Sequence, residues 1–351
     1  MKEKPLKRIK AVDVGRCLAA FAVVLIHCTP KCPLELDVFI NQAARFAVPY
    51  FFIISGYFFG RKLLEKRESL FPLCAQSVKM LLLIYIAWLV IYILIPTNIE
   101  IIRNFGFQTA IIRQVDISYN SFIAHPWHFF LGGGELSGHL WFFPSLVMAQ
   151  ILLAIMVSVG VGGKVYYLIL PLYLIVLITG SYADTPIGIR PSFYSRNGPF
   201  FSSSFVMLGY LIAVRNIKCR RLWVIVLIVG GYLFQLLEGY FLSTYYGKPM
   251  LSNRALVGTM FFSAGIALLA IQSKYPTRVS VLSSIGMRYA LGIYAIHILI
   301  LRFLMGVGFL RIPVVKYFTP FLVFVMALIF SMILTKWRVT KYIISGRSVS
   351  H

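Results

Sequence analysis

The sequence predicts an all-α integral membrane protein of about ten transmembrane helices, with both termini in the cytoplasm. Three observations carry that prediction. Of the 351 residues, 59% are hydrophobic and 13% charged, at a mean hydropathy of +0.83, a balance that soluble domains of this length do not show. Several stretches stay apolar long enough for a helix to cross a hydrocarbon core of roughly 30 Å. Basic residues gather between those stretches, in every second connection. Continuous runs such as "MLLLIYIAWLVIYILI" lack the short alternation that a β-barrel strand needs.

The expected spans, in order, are 11 to 30, 43 to 60, 79 to 96, 139 to 158, 165 to 181, 200 to 214, 222 to 238, 254 to 271, 289 to 309 and 318 to 335. The first follows "KRIK" and resembles a signal sequence, but no small-residue cleavage site follows it, so a retained helix is expected. The second closes on "RKLLEKR", the sixth on "RNIKCRR", the eighth on "SKYPTR" and the tenth on "KWRVTKY". Placing these clusters in the cytoplasm puts about 22 of the Lys and Arg residues inside and about nine outside. The formal net charge of +23 therefore reads as membrane topology, with no nucleic-acid partner expected.

Among the connections expected on the outer side, two stand out. One runs from Thr97 to Gly138 and contains "HPWHFFLGGGELSGH"; the other, "SYADTPIGIRPSFYSRNGPF", carries Arg190 and Arg196. Both read as polar, Gly- and Pro-rich loops of the kind that recognise ligands. No internal repeat is evident, and residues 1–351 read as one membrane-embedded domain with no separate soluble part. Cys17, Cys28, Cys32, Cys74 and Cys219 form no metal-ligand pattern, and unpaired structural roles are expected for them.

The first span, "DVGRCLAAFAVVLIH", buries an acid, a base and a histidine. On a helix the step from Arg16 to His27 is about 1,100°, within about 20° of three full turns, so both face one way, with Asp13 on nearly the same stripe. His27 lies about 16 Å further along the axis than Arg16. Ionisable groups inside a membrane cost a few kcal/mol each and face a protein interior or a watery cavity. For Asp13 and Arg16 an interfacial ion pair competes with a functional role; an intramembrane histidine reads first as a site.

These residues, with "RFAVPYFFIISGYFF" at 45 to 59, "GHLWFFPSL" at 138 to 146 and "LGIYAIH" at 291 to 297, make the chain resemble the membrane-bound acyltransferase 3 family, and within it the type that O-acetylates the enterobacterial common antigen. The resemblance runs over nearly the whole chain. It implies a bacterial inner-membrane enzyme moving an acyl group, usually acetyl, from cytoplasmic acetyl-CoA to a hydroxyl of a glycan or lipid-linked glycan. It assigns the essential first-helix histidine to His27 and its partner arginine to Arg16.

Such a transfer needs a base for the hydroxyl, and an imidazole with a pKa near 6.5 suits that task. His27 would act as base or carry the acyl group covalently. Arg16 would hold the donor, or pair with Asp13 to shape a channel. Arg67 and Lys79, in "KRESLFPLCAQSVKM", are the candidate contacts for the CoA phosphates, in place of the Arg-x-x-Arg that many family members carry at the third helix.

Arg45, at the outer end of the second span, could contact the glycan or stabilise an oxyanion, or anchor the helix at the interface. His139 and Trp141 suit a sugar, against aromatic-belt anchoring. His297 is a secondary site candidate against a buried, satisfied histidine. Ser55 to Tyr57 read as helix packing through Gly56. His125, His128 and His139 have spacings that fit no standard zinc site, and no metal is expected. The competing function classes are a transporter or flippase of a glycan precursor, which would move its substrate without changing its mass, and a regulatory membrane module.

Overall fold

The computed structural model describes residues 8–28, 36–65, 69–132, 136–191, 195–273 and 280–346. Among them the chain is helical throughout, with no strand. The helices are α1 (Lys10–His27), α2 (Leu36–Ala44), α3 (Ala47–Glu65), α4 (Leu70–Leu94), α5 (Ile99–Ala124), α6 (Pro126–Gly132), α7 (Phe142–Ser158), α8 (Tyr166–Thr179) and α9 (Pro199–Val214). They continue with α10 (Arg221–Tyr246), α11 (Val257–Ile271), α12 (Ser280–Arg288), α13 (Ala290–Gly306), α14 (Pro313–Leu334) and α15 (Arg338–Ser345).

Each of the ten expected spans coincides with a helix, but the helices are not equally suited to cross a membrane alone. Five are long and apolar enough: Leu36–Leu64, Leu70–Leu94, Gly138–Ser158, Arg221–Tyr246 and Val315–Leu334. A sixth arises if α12 and α13, bent by 76° at their junction, form one broken span. Helices α8, α9 and α11 are apolar but shorter. In α9 burial compensates for length, since nearly every side chain from Phe201 to Ile212 is enclosed by neighbouring helices.

Glycines set the closest helix contacts. A Cβ on Gly56 would lie 1.9 Å from the Val206 carbonyl oxygen, and one on Gly209 would lie 1.9 Å from that of Ile53. Each helix therefore presses its backbone into the gap left by the other's missing side chain, as small residues allow in membrane helices. The packing expected of the Ser55–Tyr57 stretch is thus found, between α3 and α9. Gly286 of α12 lies against the backbone of α1 in the same way, where a Cβ would meet the Asp13 carbonyl oxygen at 1.8 Å.

The stretch expected as a long polar loop between Thr97 and Gly138 is instead mostly helical. Helix α5 kinks at Gly106, whose φ of +84° and ψ of 163° are open to glycine and costly to other residues. Its amphipathicity is inverted, which is why the residues read as a loop. Gln114, Ser118 and Ser121 face the protein, while Phe105, Phe107, Ile112 and Ile117 point outward. Gln114 Nε2 donates to the Tyr92 and Ile95 carbonyls at 2.6 and 2.8 Å, satisfying acceptors left open where α4 ends.

Candidate active site

His27 is the last residue of α1, and Cys28 caps the helix with its N–H on the Val24 and Leu25 carbonyls. The site is a cavity of about 1250 Å³ at this end of α1. Its walls come from α1, the α2–α3 junction, the α5–α6 turn, the short 3₁₀ turn Gly138–Trp141, the start of α9 and the segment before α11. The His27 ring is exposed to this space. No hydrogen bond to the ring is found among the described residues.

Behind His27 stands His297 of α13, fully buried, with ring centroids 5.2 Å apart. His139 follows at 5.3 Å from His297. His297 Nδ1 lies 2.6 Å from the Tyr294 carbonyl; a carbonyl only accepts, so this nitrogen carries the proton. Nε2 is then the basic nitrogen, and it is buried without a hydrogen-bond partner.

The Ala295 carbonyl accepts from the Tyr92 hydroxyl at 2.8 Å and faces His139 Nε2 at 3.2 Å, which places the His139 proton on Nε2 by the same argument. The Tyr294 hydroxyl donates to the His139 carbonyl. Two buried tyrosines thus fix the 3₁₀ turn against α13 and set the orientation of His139.

Three guanidinium groups also line the cavity. Arg45 sits between α2 and α3, where its Nη2 donates to the Leu251 carbonyl at 2.7 Å. Arg196 lies over the Trp141 ring at 4.6 Å, and its Nε donates to Asn197 Oδ1 at 3.2 Å. Arg254 is the third, and its side chain is exposed. No carboxylate is found among the described lining residues.

Of the residues singled out from the sequence, His27, Arg45, His139 and Trp141 meet in this cavity, and His297 abuts it. Asp13 and Arg16 occupy the far end of α1. Asp13, 4% exposed, accepts from Arg16 at 3.0 Å and from Arg8 Nε at 2.6 Å, and Arg8 goes on to Ser283 Oγ at 2.8 Å. Arg16 also lies 5.2 Å over the Phe58 ring. Neither Asp13 nor Arg16 lines the cavity, and the rise per residue keeps Arg16 about 16 Å from His27 along the helix.

Lys79 is exposed on α4, away from the cavity lining, and Arg67 lies outside the described residues. His125 lines the cavity. Among the described residues no group of three His, Cys, Asp or Glu is disposed to hold a metal ion.

Sequence reasoning missed Arg254 as a site residue, and noted Arg196 only as a loop cation. The usable signal was their position: in a chain whose basic residues crowd one side, those on the other side need a reason.

Compared with known proteins, the chain is 30% identical over 230 residues to a serine/alanine racemase of Enterococcus gallinarum, covering 60% of this chain and 30% of the racemase. It is 25% identical over 232 residues to an amino-acid racemase of Enterococcus faecalis, covering 58% and 29%. The aligned stretch therefore spans under a third of the length of each racemase. No solved structure matches the chain. Residues 9–336 match the acyltransferase domain that defines the acyltransferase 3 family, and the chain, a multi-helix membrane protein of matching character, belongs to that family.

Proposed function

We propose that the protein is an inner-membrane O-acetyltransferase that moves acetyl from cytoplasmic acetyl-CoA to a sugar hydroxyl of a bacterial surface polysaccharide, of O-antigen or common-antigen type. The observation that carries this reading is the imidazole of His27, open to a large cavity and backed by the buried ring of His297. His27 takes the proton of the sugar hydroxyl as its oxygen attacks the thioester carbonyl. A C–O bond forms, the C–S bond breaks, and the departing thiolate receives the proton from His27. Trp141, Trp127 and Tyr294 supply aromatic faces suited to a sugar.

In this topology both termini are cytoplasmic, the cavity opens to the outer side, and the donor enters from the end of α1 that carries Arg16. Asp13 orients Arg16, which shapes that entry; Lys79 and Arg67 are the candidate contacts for the CoA phosphates. The racemases' name describes proteins more than two thirds of which lie outside the alignment, and isomerisation is not drawn to this chain.

The test is transfer of labelled acetyl from acetyl-CoA to surface glycan in membranes containing the wild type or His27→Ala. Label in the glycan with the wild type alone supports the reading. Equal label with His27→Ala removes His27 from the chemistry, and movement of a glycan precursor without label favours a flippase.

A further inference from the structure

Among the described residues the cavity lining is unbalanced in charge. Three guanidiniums face it, with no carboxylate among the described lining residues. The ion pairs of Asp13 with Arg8 and Arg16, and of Asp184 with Arg190 and Lys248, lie elsewhere. A neutral sugar could accept hydrogen bonds from these groups but would leave their charge uncompensated.

Arg45 makes the point at atomic level. Its Nη2 is held by the Leu251 carbonyl, yet its Nε is buried without a hydrogen-bond partner. A buried donor left unpaired is costly unless something else pairs it. Arg196 lies 4.6 Å over the Trp141 ring, which sets a guanidinium beside an aromatic face of the cavity. Arg254 completes the set, on the segment that also supplies the Leu251 carbonyl.

We infer that the acceptor carries an anion, a carboxylate or a phosphate ester, close to the hydroxyl that is acylated, and that Arg45, Arg196 and Arg254 bind it. This rests on the acyl-transfer reading of the same cavity and deepens it to a substrate class: an acidic glycan. The charge would hold the acceptor in one register over His27, so that one hydroxyl is presented to the base.

The test is direct binding to the full chain in lipid nanodiscs by calorimetry. The probes are a uronic-acid oligosaccharide, a phosphorylated oligosaccharide, a neutral oligosaccharide of the same length, and CoA. Either acidic probe, or both, should bind about tenfold more tightly than the neutral one, and Arg254→Gln should reduce that advantage. Arg254→Lys should restore part of it, and added salt should weaken it. The tighter acidic probe identifies the anion as carboxylate or phosphate.

Equal affinity for all three oligosaccharides, or no binding of either acidic probe, overturns the inference. So does CoA binding that Arg254→Gln abolishes, because the anion would then belong to the donor. His27→Ala separates the two levels: it should lose acetyl transfer and keep the preference for acid. If the preference stands while the wild type transfers no acetyl to glycan, the acyl-transfer reading fails and the anion site remains.

Discussion

The rings of His27 and His297 lie 5.2 Å apart and tilted by 49°, the first open to the cavity and the second fully buried. Because His297 donates from Nδ1 to the Tyr294 carbonyl, it cannot turn without breaking that bond. It therefore fixes the wall against which His27 rests. In the proposed acetyl transfer, His297→Ala should lower kcat by roughly tenfold to a hundredfold at little change in KM for the acyl donor, and His297→Gln should recover part of the loss. The check is steady-state kinetics with pH profiles at matched protein. Unchanged kcat in both variants would make His297 a packing residue only.

Asp13 is the shared acceptor of two arginines, and it is the most buried member of the group. Asp13→Asn should leave Arg8 and Arg16 without a counter-charge and cost about 2 kcal/mol, read as a lower Tm of the purified protein. Removing Arg8 alone should cost less, since its side chain is 43% exposed. Equal Tm for wild type and Asp13→Asn would refute the structural role of the pair.

The crossing of α3 and α9 has no room for a methyl group on either side. Gly56→Ala should force the backbones apart and sharply reduce the yield of folded protein, because the obstacle is a carbonyl rather than a movable side chain. Gly163, where a Cβ would meet nothing within 4 Å, should accept alanine unchanged. Fluorescence-detected gel filtration from detergent extracts distinguishes the two; similar monodisperse peaks would contradict the tight crossing.

In the connection between α8 and α9, the Arg190 guanidinium holds the Asp184 carboxyl below its usual range; burial opposes this and Lys248 adds to it. A depressed carboxyl contributes stability above its unfolded pKa and loses that contribution as the pH falls through its folded value. Lys248 also donates to the Gly180 carbonyl at 2.6 Å, so the group ties this connection to the end of α10. Between about pH 5 and pH 3 the Tm of the wild type should fall more steeply than that of Asp184→Asn. Parallel curves would mean that the pair carries no stability.

The sequence made the helices legible because apolar runs and basic clusters report directly on the membrane. It also brought out His27, Arg45, His139 and Trp141, each a polar or aromatic residue where an apolar one would be cheaper. The inverted helix α5 was hidden because its buried face is polar and its exposed face apolar, the reverse of the soluble pattern. The enclosure of the short helix α9 was not legible because hydropathy does not report burial by neighbours. Arg196 and Arg254 come from connections far apart in sequence, and only the packing of α9 and α11 against α3 brings them to one cavity. Nothing local in the sequence marks that meeting.

The most direct test of acetyl transfer through His27 is mass spectrometry of the surface glycan. Cells lacking the protein would be supplied with the wild type or with His27→Ala at equal membrane abundance. Acetyl transfer adds about 42 Da per modified unit with the wild type, and none should appear with His27→Ala. The same mass gain with both proteins would contradict His27 as the base, and no gain with either would contradict acetyl transfer itself.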